Sequence, residues 1–543
     1  MKKIVELRQP STWTTKQVLC RQLQERPAEV AVQFVDGIEW NYSELDQQAR
    51  SVAAGLQTLG LAPGEKVAAM LLNGPEYLSL WCGAHYAGLV LVGLNTELLG
   101  EFLRHAIALS DAKVLVINAC FVPRLNSLRC LAPQLEQIIL VGDEDTVCDL
   151  PFNRHAYDVL QSDPLNYVEF DAAYTDLAAL IYTSGTTGPS KAVMMPHAHC
   201  YLYGLGTIEH GELTADDSYY ITMPLFHANG LFMQLYACLI RGTKAVIRQK
   251  FSASSWLSDI REYGITHTNL LGVMTDFIAQ QPAGQNDQCH QLRTVFAAPA
   301  IPSLIGQFNQ RFGIQDVREL YGMSEVNIPL YNSKKAPVAG SCGRVYEDFF
   351  EVRIAHPVSD EPLPSGAVGE IQVRPKQAAG FMSGYYKMPD KTVEAWRNLW
   401  FHTGDAGLCD SNGNFYFKDR IKDSIRRRGE NISSYEVESI LLAYPGVIEC
   451  AVIAVPSDIP GGEDEVMAVV SSEEGTIDVD GLIDFAVDNM PKFAVPRYYR
   501  QLPTSEFPRT ATNKIRKQPL RDTGITADTW DVECKGFVQR DRY

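Results

Sequence analysis

Thr183-Ser184-Gly185-Thr186-Thr187-Gly188-Pro189-Ser190-Lys191 follows directly on the apolar run Ala178-Ala179-Leu180-Ile181-Tyr182. A strand that runs into glycines, hydroxyl side chains and a lysine has the makings of an anion cradle. The glycines let backbone amides converge on one point, the hydroxyls add donors, and Lys191 adds a point charge. The loop is not a Walker A sequence, which needs Gly directly before Lys and Ser or Thr after it; Ser190 and Ala192 stand there instead. The pattern therefore points away from a P-loop ATPase or kinase. On composition alone it also suits a Ser/Thr/Gly-rich surface turn.

Outward from this loop, strand-like runs at Lys113–Ile117 and Gln137–Val141 alternate with helical periodicities up to about residue 400. That alternation predicts α/β architecture, with sheets covered by helices. Ser43-Glu44-Leu45-Asp46 reads as a capping box, followed by Leu45, Ala49, Val52, Leu56 and Leu59 at helical spacing and closed by Gly60. Pro75 fits the first turn of a second helix. From Gly343 the texture changes to short β segments separated by Pro and Gly, among them Gly369-Glu370-Ile371-Gln372-Val373-Arg374, which predicts a small β-barrel subdomain over about 343–420. A charged stretch near Asp419 to Gly429 then interrupts the apolar rhythm. After it, Ser433-Ser434-Tyr435-Glu436 reads as another capping box, with strands expected at Cys450–Val455 and Val466–Val470. The expected organisation is a large N-terminal domain over 1–421 and a small α+β C-terminal domain over 422–543.

A chain of 543 residues exceeds what one core organises, so at least two domains are expected. Apolar residues at 46% and charged residues at 21% exclude a disordered or collagen-like chain. The net charge of -17 argues against nucleic-acid or anionic-membrane partners, which need a positive surface to displace counterions. Its cysteines are scattered singly, without a C-x-x-C pair, as reduced structural thiols would be. The N-terminus lacks an apolar run behind its lysines. The longest apolar stretch, about Gly83 to Leu94, falls short of the ~20 residues that span a bilayer. Arg540-Asp541-Arg542-Tyr543 is neither a lipidation nor a peroxisomal signal. A cytoplasmic protein is expected.

Further chemistry-bearing segments lie along the chain: Met223-Pro224-Leu225-Phe226-His227-Ala228-Asn229-Gly230, Tyr321-Gly322-Met323-Ser324-Glu325, Trp400-Phe401-His402-Thr403-Gly404-Asp405 with Asp419-Arg420, and Phe507 to Lys517. An aromatic face can pack a base, and a carboxylate suits a hard cation that bridges phosphate oxygens. An ionised aspartate accepts two donors, which a cis-diol offers. Together with the glycine–hydroxyl loop, this ordered set resembles the adenylate-forming (AMP-binding) superfamily in its acyl-CoA synthetase branch, over roughly residues 30 to 520. Within that branch, the texture around Arg428-Gly429-Glu430-Asn431-Ile432-Ser433 resembles crotonobetaine/carnitine-CoA ligase-like members.

The resemblance implies a ligase that uses ATP, Mg2+ and coenzyme A to turn a small-molecule carboxylic acid into an acyl-adenylate and then a thioester. It assigns Thr183, Ser184, Gly185, Thr186, Thr187, Gly188 and Lys191 to ATP phosphates, with Thr183 also toward magnesium. Ala298 and Pro299 stand at the adenine loop, Tyr321, Gly322, Met323 and Ser324 at the nucleotide, Glu325 at magnesium, and Asp405 with Arg420 at the ribose. His227, Asn229 and Gly230 line the acyl pocket, His227 as its gate, although a lone His among apolar residues is commonly a satisfied core group. Phe226-His227 replaces the Phe-Asp context of amino-acid-activating relatives, which argues against an amino-acid substrate. Lys422 marks a hinge that makes the C-terminal domain mobile, though it also reads as one more solvated lysine. Arg428 and Gly429 fall on the coenzyme A side, within a basic run that also suits a solvated face. Lys514, before Ile-Arg-Lys, matches the adenylation lysine, with Asn513 where the family usually has Gly; Lys517 and Lys492 are lesser candidates. Transfer to a separate carrier protein or an amine remains the rival reading, a catalytically idle nucleotide sensor is another, and a homodimer stays open.

Overall fold

The computed structural model describes residues 6–35, 37–98, 100–126, 134–142, 152–183, 190–297, 302–314, 316–334, 337–421, 425–427, 430–432, 434–457, 464–472, 477–490, 494–510, 513–534 and 536–537. They form two units. The larger takes the described residues up to Val352 together with Val373–Phe401, and the smaller takes Arg353–Gln372 and the residues from His402 onward.

In the larger unit, helix α1 (Tyr42–Thr58) is capped by Asn41 rather than Ser43. The Asn41 side chain accepts the Glu44 N–H while the Glu44 carboxylate accepts the Asn41 N–H, so the capping box is present but starts two residues before the expected serine. Leu45, Ala49, Val52 and Leu56 form the buried face that their spacing predicts. Helix α2 (Pro75–Tyr86) takes Pro75 in its first turn, where a missing N–H costs nothing.

Strands Lys66–Met70, Val90–Gly93, Val114–Asn118 and Gln137–Val141 belong to an eight-stranded sheet with parallel pairings. Their nearly unbroken burial is what a parallel sheet covered on both faces demands. Strand β1 (Leu177–Thr183) joins it parallel to Val90–Gly93, and β2 (Lys191–Pro196) returns antiparallel to β1. Helix α3 (His197–Gly211) follows β2 without a break and is buried along most of its length.

A nine-stranded sheet has a parallel core of Lys244–Ile247, Ser218–Ile221, β3 (His267–Leu270), Thr294–Ala297 and β4 (Asp316–Met323). Strand β5 (Asn327–Tyr331) turns back antiparallel to β4. A core gathers Trp256, Ile260, Leu270, Phe308 and Phe312, and its aliphatic and Phe side chains each contribute about 1.5–3 kcal/mol on burial. The short strand β6 (Gly384–Tyr385) pairs with β2 of the first sheet, Tyr385 opposite Val193.

Strand β7 (Trp400–Cys409), from His402 onward, belongs to the smaller unit and forms a hairpin with β8 (Phe415–Arg420). Helix α4 (Ser434–Leu441) begins where a charged sequence meets an apolar one. Ser433 lies outside the described residues; the Asp419 carboxylate caps this helix, its Oδ2 accepting the Ser434 N–H at 2.6 Å and the Tyr435 N–H at 3.3 Å. Strands β9 (Val447–Val455) and β10 (Glu465–Ser472) pair antiparallel. Their alternate residues supply two cores: Val452, Val466, Ala468 and Val470 in one, Ala451, Ile453, Met467 and Val469 in the other. Period-2 alternation with both sets apolar is the signature of a strand pair buried on both faces.

Candidate active site

Thr183 and Lys191 are paired opposite each other at the loop end of the β1–β2 hairpin. The glycine–hydroxyl sequence is therefore a hairpin connection, with Ser184 to Pro189 outside the described residues. Thr183 Oγ1 lies 3.5 Å from the Lys191 carbonyl oxygen, and the Lys191 ammonium stands 4.0 Å from the ring centroid of Tyr385. An ammonium over an aromatic face is attracted by the ring quadrupole, which localises an otherwise flexible charge.

Tyr321 to Glu325 leaves β4 and enters the turn to β5, and each of its parts has a local cause. Gly322 lies against the Asn327 carbonyl and the Ile328 side chain so closely that a Cβ would overlap both. Asn327 completes the turn at φ 70°, a region that asparagine enters more readily than most residues. Its Nδ2 donates to the His199 carbonyl at 2.8 Å, while Tyr203 donates to the Met323 carbonyl at 2.8 Å, so α3 supports the turn from behind. Burial raises the Tyr203 pKa well above its ordinary value, and the Glu325 charge raises it further, so the phenol keeps the proton it donates. Tyr321 and Glu325 are both buried, and Oε1 of Glu325 accepts a hydrogen bond from Tyr385 at 2.9 Å. A carboxylate on the same tyrosine as the loop lysine, with the Thr183 hydroxyl at the loop's start, is a donor set of hard oxygens. It fits Mg2+, which takes one or two carboxylates besides phosphate oxygens and water.

His227 and Asn229 are half-buried, while Phe226, Ala228 and Gly230 between and beside them are buried. The chain from Asn229 to Tyr236 is a π-helix, a rare form that recurs at functional sites. Gly230 makes this turn feasible: a Cβ there would come within 2.5 Å of the Pro224 carbonyl oxygen. The i,i+5 winding sets Gln234 over Asn229, and Gln234 Nε2 donates to Asn229 Oδ1 at 2.7 Å. Asn269 on β3 donates to the same oxygen at 2.9 Å and accepts from the Tyr219 hydroxyl. Two donors on one oxygen fix which end of the Asn229 amide faces inward. Gln234 and Asn269 were invisible to motif reading, since neither sits in a recognisable segment.

In the smaller unit, Asp405 is 3% exposed and stands opposite Arg420 in the β7–β8 register. Thr403 Oγ1 donates to the Ile371 carbonyl at 2.6 Å and accepts the Asp405 N–H at 3.1 Å. Glu370 accepts the Gly404 N–H at 3.0 Å through one oxygen and faces His402 Nδ1 at 2.6 Å through the other. Asp360, Glu370 and His402 are close enough to suggest a cation site. The Gln372 amide nitrogen, however, donates to both carboxylates, at 3.1 and 3.3 Å, where a shared cation would sit. The cluster is a hydrogen-bonded clamp behind Gly404 and Asp405 of β7.

Lys514 is exposed on a tight loop, where its N–H donates to Thr510 Oγ1 at 3.0 Å and its carbonyl accepts the Thr510 N–H at 2.7 Å. Asn513 adopts φ 61°, so it keeps the left-handed backbone for which the family usually employs Gly. Arg509 braces the loop, pairing with Glu449 and donating to the Asn513 carbonyl. Lys517 is engaged elsewhere, 2.8 Å from Glu438 and bonded to Ser434. Arg427, inside the basic run, is 6% exposed and pairs with Glu465 at 2.6 Å. Ala298, Pro299, Lys422, Arg428, Gly429 and Lys492, and the Arg420 side chain, lie outside the described residues.

A family profile described as AMP-binding enzyme matches residues 19–386, and one described as AMP-binding enzyme C-terminal domain matches residues 436–514. Crotonobetaine/carnitine–CoA ligase of Salmonella heidelberg (strain SL476) is 30% identical over 492 residues, which cover 89% of this chain and 93% of that protein. Among solved structures, ATP-bound MatB from Rhodopseudomonas palustris is similar at a TM-score of 0.81 and 26% identity, over 95% of this chain and 99% of that one. An anthranilate CoA ligase in complex with anthranoyl-AMP shares the fold at a TM-score of 0.84 and 23% identity, over 95% and 98% of the two chains.

Proposed function

The chain belongs to the AMP-binding enzyme family, and we propose that Lys514, Glu325, Asp405 and the Thr183–Lys191 loop carry its chemistry. It is an AMP-forming acid–thiol ligase: a carboxylic acid and ATP give an acyl-adenylate and pyrophosphate, and coenzyme A then takes the acyl group and releases AMP.

In the first half-reaction a carboxylate oxygen attacks the α-phosphorus, and the bond from that phosphorus to the pyrophosphate oxygen breaks. Anions converge and charge builds on phosphate oxygens, so catalysis is chiefly positioning and electrostatic stabilisation. Lys514 is assigned to the incoming carboxylate and the α-phosphate. The loop from Thr183 to Lys191 receives the departing pyrophosphate with its amides, hydroxyls and ammonium. Tyr321, Gly322, Met323 and Ser324, with Ala298 and Pro299, hold the base, while Asp405 and Arg420 hold the ribose. Glu325 and Thr183 would hold Mg2+, which when bound neutralises phosphate charge.

In the second half-reaction the thiol sulfur, losing its proton, bonds to the acyl carbon, and the bond from that carbon to the AMP oxygen breaks. Arg428 and Gly429 are assigned to coenzyme A, His227, Asn229 and Gly230 to the acyl group, and Lys422 to the hinge between half-reactions. A cytoplasmic location completes the proposal; among the described residues, no helix is long and apolar enough to cross a membrane.

What supports the site assignment most is the meeting of the loop lysine and Glu325 on one tyrosine, because a phosphate-binding charge and a cation ligand have to act on the same phosphates. The test is pyrophosphate release from ATP with a panel of carboxylic acids, crotonobetaine and carnitine among them, with and without coenzyme A. Release that needs an acid, followed by thioester formation once the thiol is added, is the expected result. Acyl transfer that occurs only with a carrier protein or an amine would overturn the choice of acceptor.

A further inference from the structure

Tyr385 belongs to none of the segments that carry the chemistry, yet it touches two of them. Its hydroxyl donates to Glu325 Oε1 at 2.9 Å, and its ring lies 4.0 Å beneath the Lys191 ammonium. The side chain is 4% exposed and its backbone is held on both sides. Tyr385 N–H donates to Thr392 Oγ1 at 2.9 Å, and the flanking Ser383 and Tyr386 N–H groups donate to the Met194 and Ala192 carbonyls of β2 at 2.9 and 2.8 Å. Met382 N–H adds a bond to the Glu325 carbonyl at 3.2 Å. The segment 382–386 thus bridges the strand that bears Lys191 and the turn that bears Glu325.

We infer that Tyr385 is a positioning residue for the adenylation half-reaction, fixing the Glu325 carboxylate through its hydroxyl and the Lys191 ammonium through its ring. The chemistry favours this division. A phenol that donates to one carboxylate oxygen restricts the rotamer of the side chain that would hold the cation. Hydrogen bonds of this kind behind a metal ligand typically change metal affinity 10- to 100-fold when removed. The ring, with no proton to give, attracts the ammonium and holds it without neutralising it. A tyrosine serves both where a phenylalanine serves only the second.

The inference rests on the assignment of Glu325 to Mg2+, and the experiment separates the two. Pyrophosphate release is measured against Mg2+ concentration, and separately against ATP, for the full-length wild type, Tyr385→Phe, Tyr385→Leu and Glu325→Gln. Melting temperature and thioester formation from supplied acyl-adenylate are followed alongside. Tyr385→Phe is expected to raise the Mg2+ concentration for half-maximal rate about tenfold, with the melting temperature and the thioester step close to wild type. Tyr385→Leu is expected to add a rise in KM for ATP, because Lys191 loses its platform. If Glu325→Gln shifts the Mg2+ dependence and Tyr385→Phe does not, the inference is wrong while the Glu325 assignment stands. If neither shifts it, both are wrong. Equal ATP KM values in the Phe and Leu variants would remove the lysine half of the proposal.

Discussion

Asp405 and Arg420 lie fifteen residues apart in the sequence, yet they are direct partners in the register of the β7–β8 hairpin. The register thereby brings the backbones of the two proposed ribose residues together. Asp405→Asn keeps the shape and loses the charge. A charge-assisted hydrogen bond contributes about 1.5–3 kcal/mol, so KM for ATP should rise roughly 10- to 100-fold with little change in melting temperature. Initial rates against ATP check this, and an unchanged KM would remove Asp405 from the ribose.

Asn513 in the left-handed region explains how the Lys514 loop keeps its shape without the usual glycine. Asn513→Gly should stay close to wild type, whereas Asn513→Val, β-branched at a positive φ, should distort the loop and depress adenylation. Lys514→Ala should lose adenylation by more than ~100-fold, the scale of removing one charge-stabilising group, yet still convert supplied acyl-adenylate to thioester. Pyrophosphate release at the normal rate in that variant would refute the assignment.

Neighbouring arginines should separate by phenotype. Arg427 is nearly buried against Glu465, so Arg427→Ala removes one partner of a buried ion pair and should cost about 3–5 kcal/mol, seen as a lower melting temperature. Arg428→Ala should instead raise KM for coenzyme A and leave the melting temperature nearly unchanged. A wild-type KM for coenzyme A would place Arg428 outside that site.

Burial pushes Glu319 on β4 from an ordinary 4.5 up to about 7. Between those values the folded chain holds a proton that the unfolded chain has released, so this group's contribution to stability falls as pH rises through the window. The ceiling is about 1.4 kcal/mol per pH unit of that window. Glu319→Gln stays neutral throughout, so its melting temperature relative to wild type should climb from pH 4.5 to pH 7 and then level off. A pH-independent difference between the two proteins would mean that Glu319 does not titrate in this way.

Gly230 has the Pro224 and Met223 carbonyl oxygens 2.5 and 2.7 Å from where a Cβ would be. Gly230→Ala must shift the π-helix, and with it the Asn229 amide. Rates with a good acid substrate should fall at least tenfold, a change of ~1.4 kcal/mol, while the Mg2+ dependence stays as in wild type. A fully active alanine variant would show that the segment is not tightly set against its neighbours.

The sequence by itself determined the local parts: the strand before the glycine–hydroxyl loop, the Leu45–Leu56 helical face, Pro75 at a helix start and the order of the family segments. These are legible because each depends on neighbours in the chain, through periodicity, turn chemistry or a motif of adjacent residues. Only the tertiary structure decided that Asn41 caps α1, that Asp419 caps α4 and that Asn269 locks Asn229. It alone put Tyr385 between Lys191 and Glu325. Such contacts join residues far apart in the chain, and a side chain's partner across that distance is set by strand register and close packing, which no local pattern records.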